Sequence, residues 1–378
     1  MSYNVLSRIT GRRENHEIDM PIIEWGGNGI FGYGLWNWWG VPYPPEDYVF
    51  SDDGFKTWHK IPGIQLSHDA SYETSIQGVL SFGNGRVSIL NREDGTRGGI
   101  YSSTDGGKTF ALNSMIVPNA SVYYVSGHTS GDTGAFAFTD EDGNAGFAAT
   151  RDGGKTWKHS VSAIEDVYYS VPVYVTSNND IVVFNNAILT PAGDLEPINT
   201  PEEIQGKEEY WMFIECAVGI LLHPIYCHGA EKAFMFSLDL STWQEVNFSE
   251  SICEETAEWS IAYSKKTGLA YQAKRVWLDV FEGEHSHRYT FVYIYSSTNL
   301  TDWHYVSRIQ VQDYFTASGG WWPIKNVFPD IKIIDDEFVI TGRCIDQDGF
   351  WFESLVATSL DGKDWTVSYV PVGVYAVS

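Results

Sequence analysis

One short phrase recurs along this chain, and it constrains the fold more than any other feature of the sequence. It reads STDGGKTF at residues 103–110 and TRDGGKTW at residues 150–157. The remaining copies are SDDGFKTW at 51–58 and three that are one residue shorter, SLDLSTW at 237–243, STNLTDW at 297–303 and SLDGKDW at 359–365. Six copies in 378 residues indicate a repeated structural unit rather than a single site.

Each copy has the chemistry of a tight turn that a large apolar ring pins in place. Asp, Ser and Thr side chains bond backbone groups a few residues on, and Gly adopts backbone angles that other residues avoid. Each copy follows a β-rich run, so we predict a hairpin turn at the outer edge of a sheet. The residues given this structural role are Asp53, Asp105, Asp152, Asp239, Asn299 and Asp361, with the closing rings Trp58, Phe110, Trp157, Trp243, Trp303 and Trp365. One carboxylate per repeat is a weak basis for a metal site, so we expect neither a metal nor a cofactor.

These turns resemble the Asp-box, or BNR repeat, of sialidase-like β-propellers, and the resemblance extends over nearly the whole chain. It implies an all-β fold, a seven-bladed β-propeller of four-stranded antiparallel blades. The interval between the turns at 150 and 237 is close to two repeats, and residues 188–198 have a strand-turn-strand pattern without the consensus. Counting that degenerate copy predicts seven repeats of about 51 residues each, and six blades are the alternative count.

The predicted domain organisation is a single propeller with two short extensions. Residues 1–19 form an N-terminal arm or closure strand, residues 20–372 the propeller and residues 373–378 a C-terminal tail. Residues 3–10 and 370–378 compete as the strand that closes the ring, and the sequence leaves both open.

Composition limits the partners that such a chain can have. The formal net charge of −25 argues against a nucleic-acid backbone or an anionic membrane as partner, because both need a positive face. No segment approaches the roughly 20 apolar residues of a membrane span, so we expect no membrane insertion. The N-terminus lacks the pattern of a signal peptide, which predicts synthesis in the cytoplasm. Cys216, Cys227, Cys253 and Cys344 lack metal-site spacing and are interpreted as free thiols.

A second repeat precedes the predicted inner strands, and it suggests a ligand site at one mouth of the channel. Trp25, Tyr124 and Trp211 each lie 26 residues before their turn. The full set of candidate ligand-binding aromatics is Trp25, Tyr72, Tyr124, Tyr169, Trp211, Trp259 and Trp322. Rings with nearby carboxylates suit carbohydrate recognition, because sugar faces stack on the rings and carboxylates accept hydroxyl hydrogen bonds. Packing between neighbouring blades is the alternative interpretation.

Two further segments do not follow the repeat. Residues 31–43 carry six aromatic residues, among them Trp36, Trp38 and Trp39, and this density is typical of a surface that contacts a ligand or a subunit, or of simple loop packing. Residues 315–323 are similar. His285 and His287 lie in a long insert, where we predict an exposed hairpin tip rather than a metal site.

The enzyme hypothesis has weak support in the sequence. Sialidases carry three arginines that hold a carboxylate, a Tyr-Glu nucleophile pair and an Arg-Ile-Pro signature, whereas this chain has Arg8-Ile9-Thr10. Among its eleven arginines, Arg12, Arg13, Arg86, Arg97, Arg275, Arg288 and Arg343 lack a recognisable sialidase context. A hydrolase with two carboxylates would use Glu24, Glu73, Glu258 or Asp279.

The sequence therefore favours a non-catalytic recognition or structural propeller. We expect a virion-associated protein of a phage tail or capsid, which binds a host glycan or a partner subunit of a larger assembly. The alternatives are a glycoside hydrolase that acts on a surface glycan and an intracellular assembly factor.

Overall fold

A computed structural model of the chain describes residues 22–24, 30–32, 49–50, 59–60, 76–93, 97–115, 123–139, 144–161, 173–183, 187–202, 211–224, 233–246, 259–282, 285–300, 302–311, 314–315, 321–322, 326–334, 336–345 and 351–371. These residues are arranged in β-strands and turns, which confirms the all-β prediction. No helix in the described ranges is long and apolar enough to cross a membrane.

Within these ranges the strands form seven four-stranded antiparallel sheets, each built from four strands that are consecutive in the chain. The first three sheets are β1 (Ile22–Glu24), β2 (Ile30–Gly32), β3 (Val49–Phe50) and β4 (His59–Lys60); β5 (Ile76–Gly83), β6 (Arg86–Glu93), β7 (Arg97–Ser103) and β8 (Ala111–Met115); and β9 (Tyr123–Ser130), β10 (Thr133–Thr139), β11 (Ala145–Thr150) and β12 (Lys158–Val161). The next two are β13 (Val173–Val175), β14 (Ile181–Val183), β15 (Ala187–Leu189) and β16 (Leu195–Pro197); and β17 (Trp211–Cys216), β18 (Gly219–Pro224), β19 (Ala233–Phe236) and β20 (Trp243–Val246). The sixth is β21 (Trp259–Ser264), β22 (Leu269–Glu282), β23 (His285–Ser297) and β24 (His304–Gln310).

A two-stranded hairpin, β25 (Tyr314–Phe315) with β26 (Trp321–Trp322), separates the sixth sheet from the seventh. The seventh sheet is β27 (Asn326–Ile334), β28 (Glu337–Ile345), β29 (Trp351–Ser359) and β30 (Thr366–Pro371). Its outer strand β30 pairs with β29, and Val370 is part of that strand. The last sheet therefore takes all four strands from its own repeat, and residues 3–10, the competing closure segment, lie outside the described residues.

Six of these sheets close the propeller ring. Inner strands of neighbouring sheets are in contact from β5 to β9, β9 to β13, β17 to β21 and β21 to β27. Tyr174 of β13 stacks on Phe213 of β17 at a ring-centroid distance of 5.8 Å, which joins the fourth sheet to the fifth. The circuit then closes directly, because β27 of the seventh sheet contacts β5 of the second.

The predicted count of seven blades is therefore wrong, and the alternative count of six is correct. The first sheet has strands of only two or three residues, and it contacts β5 through β1 without adding a strand to the circuit. The number of repeated turns measures the number of sheets, whereas the blade count depends on which inner strands meet.

The repeated turns, which we call repeat turns, connect the third and fourth strands of their sheets as predicted. Residues 103–110 join β7 to β8, and residues 150–157 join β11 to β12. The degenerate copy is also a turn of this kind, since Thr190 and Asp194 bracket the connection from β15 to β16. Asp53 and Trp58 lie outside the described residues.

The hydrophobic core lies between neighbouring sheets. One cluster combines Leu80 and Phe82 of the second sheet with Phe136 and Phe138 of the third. All seven residues of β10 are buried, because the second strand of a blade is covered by a neighbouring sheet on each face. The inner strands border the channel instead, and His128 to Ser130 of β9 remain partly exposed.

Replacing the carboxylate of a repeat turn is expected to destabilise the fold. Asp152 Oδ1 accepts hydrogen bonds from Thr150 Oγ1 at 2.8 Å and from the Thr156 N–H at 2.9 Å, and its Oδ2 accepts one from Thr156 Oγ1 at 2.6 Å. Asp152→Ala removes these acceptors and should lower the free energy of unfolding by about 1–3 kcal/mol, as measured by urea denaturation. Asp194→Ala is the matched control, because the degenerate turn uses the backbone of Asp194. Equal losses in the two variants would contradict this role for Asp152.

Candidate functional site

The inner strands enclose a cavity of about 250 Å³ in the central channel, which we call the channel cavity. All six ring sheets contribute to it, through β5, β9, β13, β17, β21 and β27. The lining residues of β5, β9 and β17 come from the middle and the C-terminal parts of these strands. The cavity therefore lies toward the end of the ring that also carries the repeat turns. The ring fold thereby brings side chains together that are up to about 250 residues apart in sequence.

Tyr174 is the central aromatic residue of the channel cavity. Its ring lies 4.2 Å from the His128 ring and 5.8 Å from the Phe213 ring, measured between centroids. Burial raises the pKa of its phenol, and the negative charge of Glu215, which is also its hydrogen-bond partner, raises that pKa further. Tyr174 is therefore a neutral phenol that is fixed between two rings.

Glu215 is the buried carboxylate of the channel cavity, and only 4% of its surface is exposed. Its Oε2 accepts a hydrogen bond from the Ser177 N–H at 2.8 Å. Its Oε1 is buried and has no hydrogen-bond partner among the described residues, and the same is true of Ser81 Oγ on β5. Because buried polar groups normally have partners, two such atoms at one cavity indicate capacity to hold a polar ligand.

Two lysines place positive charge at the channel cavity. Lys265, in the turn after β21, is exposed and donates from Nζ to Ser130 Oγ and to the Ser177 carbonyl, both at 3.1 Å. Lys332 of β27 lies with its Nζ 3.7 Å from Asp330 Oδ2. The lining includes these two lysines as well as the buried carboxylate, so the cavity offers both hydrogen-bond donors and acceptors.

His128 is held in its neutral form in the channel cavity. Its Nδ1 accepts a hydrogen bond from the Val175 N–H at 3.1 Å, so in the neutral ring the proton is assigned to Nε2. Burial, and to a smaller extent the charge of Lys332, together lower the pKa of His128 from 6.5 to about 4.

The structure describes only part of the predicted ligand site. Tyr124 is the second residue of β9, and Trp211 and Trp259 are the first residues of β17 and β21, so these three do occupy similar backbone positions. Two other candidates occupy different positions, since Glu24 is the last residue of β1 and Trp322 belongs to the β25–β26 hairpin. The positions outside the described residues are Trp25, Trp36, Trp38, Trp39, Tyr72, Glu73, Tyr169 and Glu258.

The remaining candidates lie away from the channel cavity where they are described. Asp279 is on β22 opposite Arg288 of β23, in the long hairpin predicted for the insert with His285 and His287. No cluster of potential metal-ligating side chains occurs among the described residues. Arg86 pairs with Asp132 at 2.7 Å, and Arg275 is buried in the sixth sheet; neither is part of the cavity lining. Cys216 is a buried free thiol, as predicted, and burial raises its pKa.

Sequence reasoning did not identify His128, Tyr174 or Glu215. A signal for Glu215 was present, because it is the single charged residue in the apolar run from 211 to 222. A carboxylate inside a strand with that pattern needs buried partners, which is a reason to suspect a site.

No family model matches the sequence, and no curated protein matches it either. Several solved propeller structures are similar in part. They include a GH93 α-L-arabinofuranosidase of Fusarium graminearum in complex with arabinobiose (15% identity, 95% of this chain and 94% of that chain, TM-score 0.40), a Trypanosoma rangeli sialidase (12%, 94% and 55%, TM-score 0.39) and the six-bladed, fucose-recognising lectin of Aleuria aurantia (8%, 96% and 97%, TM-score 0.39). Likenesses at this level do not distinguish an enzyme from a lectin.

The stability of the fold is expected to depend on pH through His128. A histidine whose pKa is lowered by folding stabilises the fold fully above about pH 6.5, its unfolded value, and this contribution is lost as pH falls toward 4. His128→Asn keeps an acceptor for the Val175 N–H and cannot be protonated, so its melting temperature should fall less between pH 6.5 and 4. The wild-type chain should lose at most about 3 kcal/mol more than this variant.

The control for this experiment is His159→Asn, because His159 is an exposed residue of β12. Thermal unfolding of the three proteins across that pH range provides the measurement. If His128→Asn and His159→Asn follow the wild-type curve equally, burial of His128 does not control the pH dependence.

Proposed function

We propose that this chain is a non-catalytic recognition propeller that binds a hydroxyl-rich ligand, a glycan, in the channel cavity. The observation that carries the proposal is the pair of buried atoms, Glu215 Oε1 and Ser81 Oγ, that have no partner among the described residues at this cavity. A sugar carries several hydroxyls, each of which both donates and accepts hydrogen bonds, so this ligand class has partners for a carboxylate oxygen and for a serine hydroxyl.

The other lining residues suit the same ligand class. Tyr263 is partly exposed and offers a ring against which a sugar face can pack. Lys265 and Lys332 add donors for hydroxyl oxygens. The volume of about 250 Å³ lies just below the usual range for ligand pockets, about 300–1,000 Å³, which favours one sugar unit over a long chain.

The state of the titratable groups favours binding over hydrolysis. A tyrosine nucleophile needs a lowered pKa or an adjacent base that is free to act, whereas the pKa of Tyr174 is raised by burial and by Glu215. A two-carboxylate mechanism needs both groups beside the scissile bond. Here Glu215 is fixed by the Ser177 N–H, while Asp330 has a half-exposed side chain near Lys332.

Glycan binding should depend on Glu215. Glycan-array screening of the purified chain would identify a ligand, and calorimetry on Glu215→Gln should then show affinity reduced by about tenfold or more, because one buried acceptor has become an amide donor. Glu196→Gln, at an exposed position of β16, is the control and should bind as the wild type does. If Glu215→Gln binds the glycan with the affinity of the wild type, the glycan does not bind in the channel cavity.

Analysis of the array products tests the second candidate function in the same samples. Release of a cleaved sugar, lost in Glu24→Gln, Glu73→Gln, Glu258→Gln or Asp279→Asn, would replace the binding proposal by a glycoside hydrolase.

We further propose that the chain acts in a virion, as a phage tail or capsid protein whose ligand is a host glycan. The support is the Asp-box resemblance, the net charge of −25 and the aromatic segment at 31–43, of which residues 33–43 lie outside the described residues. The protein should co-purify with particles through a density gradient, and Trp36→Ala or Trp39→Ala should weaken that association. Recovery only in the particle-free fraction would favour an intracellular assembly factor.

A further inference from the structure

The closing tryptophans of three repeat turns occupy the same kind of position between sheets. Trp157 stacks on Phe136 at 5.5 Å and meets Phe82 of the preceding sheet edge-on at 6.4 Å, measured between ring centroids. Trp303 packs with the cluster that contains Leu221 and Ala233 of the fifth sheet. Trp365 donates from Nε1 to Ser307 Oγ of the sixth sheet at 2.9 Å. Each indole therefore fills the space between its own sheet and the sheet before it.

Each of these indoles also bonds its own turn. The Nε1–H of Trp157 points to the Gly154 carbonyl at 3.2 Å, that of Trp303 to the Leu300 carbonyl at 3.0 Å, and that of Trp365 to the Gly362 carbonyl at 3.2 Å. The three acceptor residues share a positive φ, with values of 82°, 63° and 71° in the same order. The backbone of the turn thus provides a carbonyl that accepts the hydrogen bond of the indole N–H.

The degenerate turn of the fourth sheet keeps this backbone but has no aromatic ring. Thr190 N–H donates to the Asp194 carbonyl at 2.9 Å, and Gly193 N–H donates to the Thr190 carbonyl at 3.0 Å. Gly193 also has a positive φ, 103°, which puts it in the place of the acceptor residues of the other turns. The turn is one residue shorter than the shortest copies that carry a tryptophan, and Leu195 is the side chain that packs here against the cluster shared by the third and fourth sheets. A leucine is much smaller than an indole, so this junction between sheets is incompletely filled.

A crevice of about 420 Å³ lies at this junction, between the third and fourth sheets. Its floor is apolar and is formed by Phe147, Ala149 and Leu189, and one wall is the turn that includes Gly193. Two cations of the third sheet lie at its edge and are fixed by carbonyls of the fourth sheet. Arg151 donates to the Leu189 carbonyl at 3.2 Å, and Lys158 Nζ donates to the Pro191 carbonyl at 2.6 Å.

We propose that this crevice binds the indole ring of a tryptophan on a partner polypeptide. The apolar floor matches the ring faces, and the Gly193 turn matches the indole N–H, since three other turns of this chain bind an indole with the same parts. Arg151 at the edge can interact with the ring through a cation–π contact. Buried tryptophans in such pockets are common anchors of protein interfaces. The crevice is separate from the channel cavity, so this proposal does not depend on glycan binding.

The test uses the intact chain and a blocked tryptophan, N-acetyl-tryptophanamide, with binding followed by ligand-observed NMR. The expected result is saturable binding, with a Kd of about 1 mM for so small a probe. Leu195→Trp gives the fourth turn its own indole, so it should reduce binding at least about tenfold and raise the melting temperature. Leu360→Trp is the matched control, since it adds an indole at an exposed position of the seventh repeat turn and should leave binding unchanged.

A second variant guards against misfolding of the first. Ala149→Leu extends a side chain from the floor into the crevice and should also block the probe while circular dichroism stays that of the wild type. Absence of saturable binding to the wild type, or equal binding to wild type and both filled variants, would overturn the proposal. Equal affinity for N-acetyl-leucinamide would overturn it too, because an apolar crevice without indole recognition would then explain the binding.

Discussion

Burial of apolar side chains between neighbouring sheets is the interaction on which the rest of this structure depends. A twisted four-stranded sheet exposes two faces, and in this ring each face is covered by the next sheet. The cluster that joins Tyr271 and Ile294 of the sixth sheet to Phe338 and Ile340 of the seventh is typical. Burial of apolar surface stabilises a fold by roughly 25 cal/mol per Å² removed from water. Because the buried surface here lies between sheets, this stabilisation is distributed over the junctions rather than concentrated in one central core. The ring therefore leaves its centre free for polar groups.

The repeat turns serve this packing. Their carboxylates fix the turn by local hydrogen bonds, as Asp105 does by accepting from the Thr109 N–H at 3.0 Å. The fixed turn positions an aromatic ring against the neighbouring sheet. Where the turn has lost its ring, in the fourth sheet, the junction retains a crevice. Local turn chemistry and the shape of the surface between sheets are thus linked, because the repeat turn without an aromatic ring borders a crevice.

The channel cavity follows from the same geometry. One edge of each inner strand borders the central channel, so residues such as His128 and Glu215 from different sheets line one cavity. Burial there keeps His128 neutral and Tyr174 protonated near neutral pH. Lys265 and Lys332 in the cavity lining place positive charge there, in contrast to the strongly acidic composition of the chain.

The sequence by itself determined the all-β class, the position of each described repeat turn between two outer strands, and the presence of a degenerate copy near residue 190. These features rest on interactions within a few residues, such as the bonds from Asp152 to Thr156, and short-range chemistry can be recognised from a short motif. Only the tertiary structure decided that six sheets rather than seven close the ring, because closure depends on the contact of β27 with β5, more than two hundred residues apart. It alone brought Glu215, Tyr174 and His128 together and opened the crevice beside Gly193. Those sites are built across sheets, where side chains from distant repeats meet, and no local pattern encodes such a meeting.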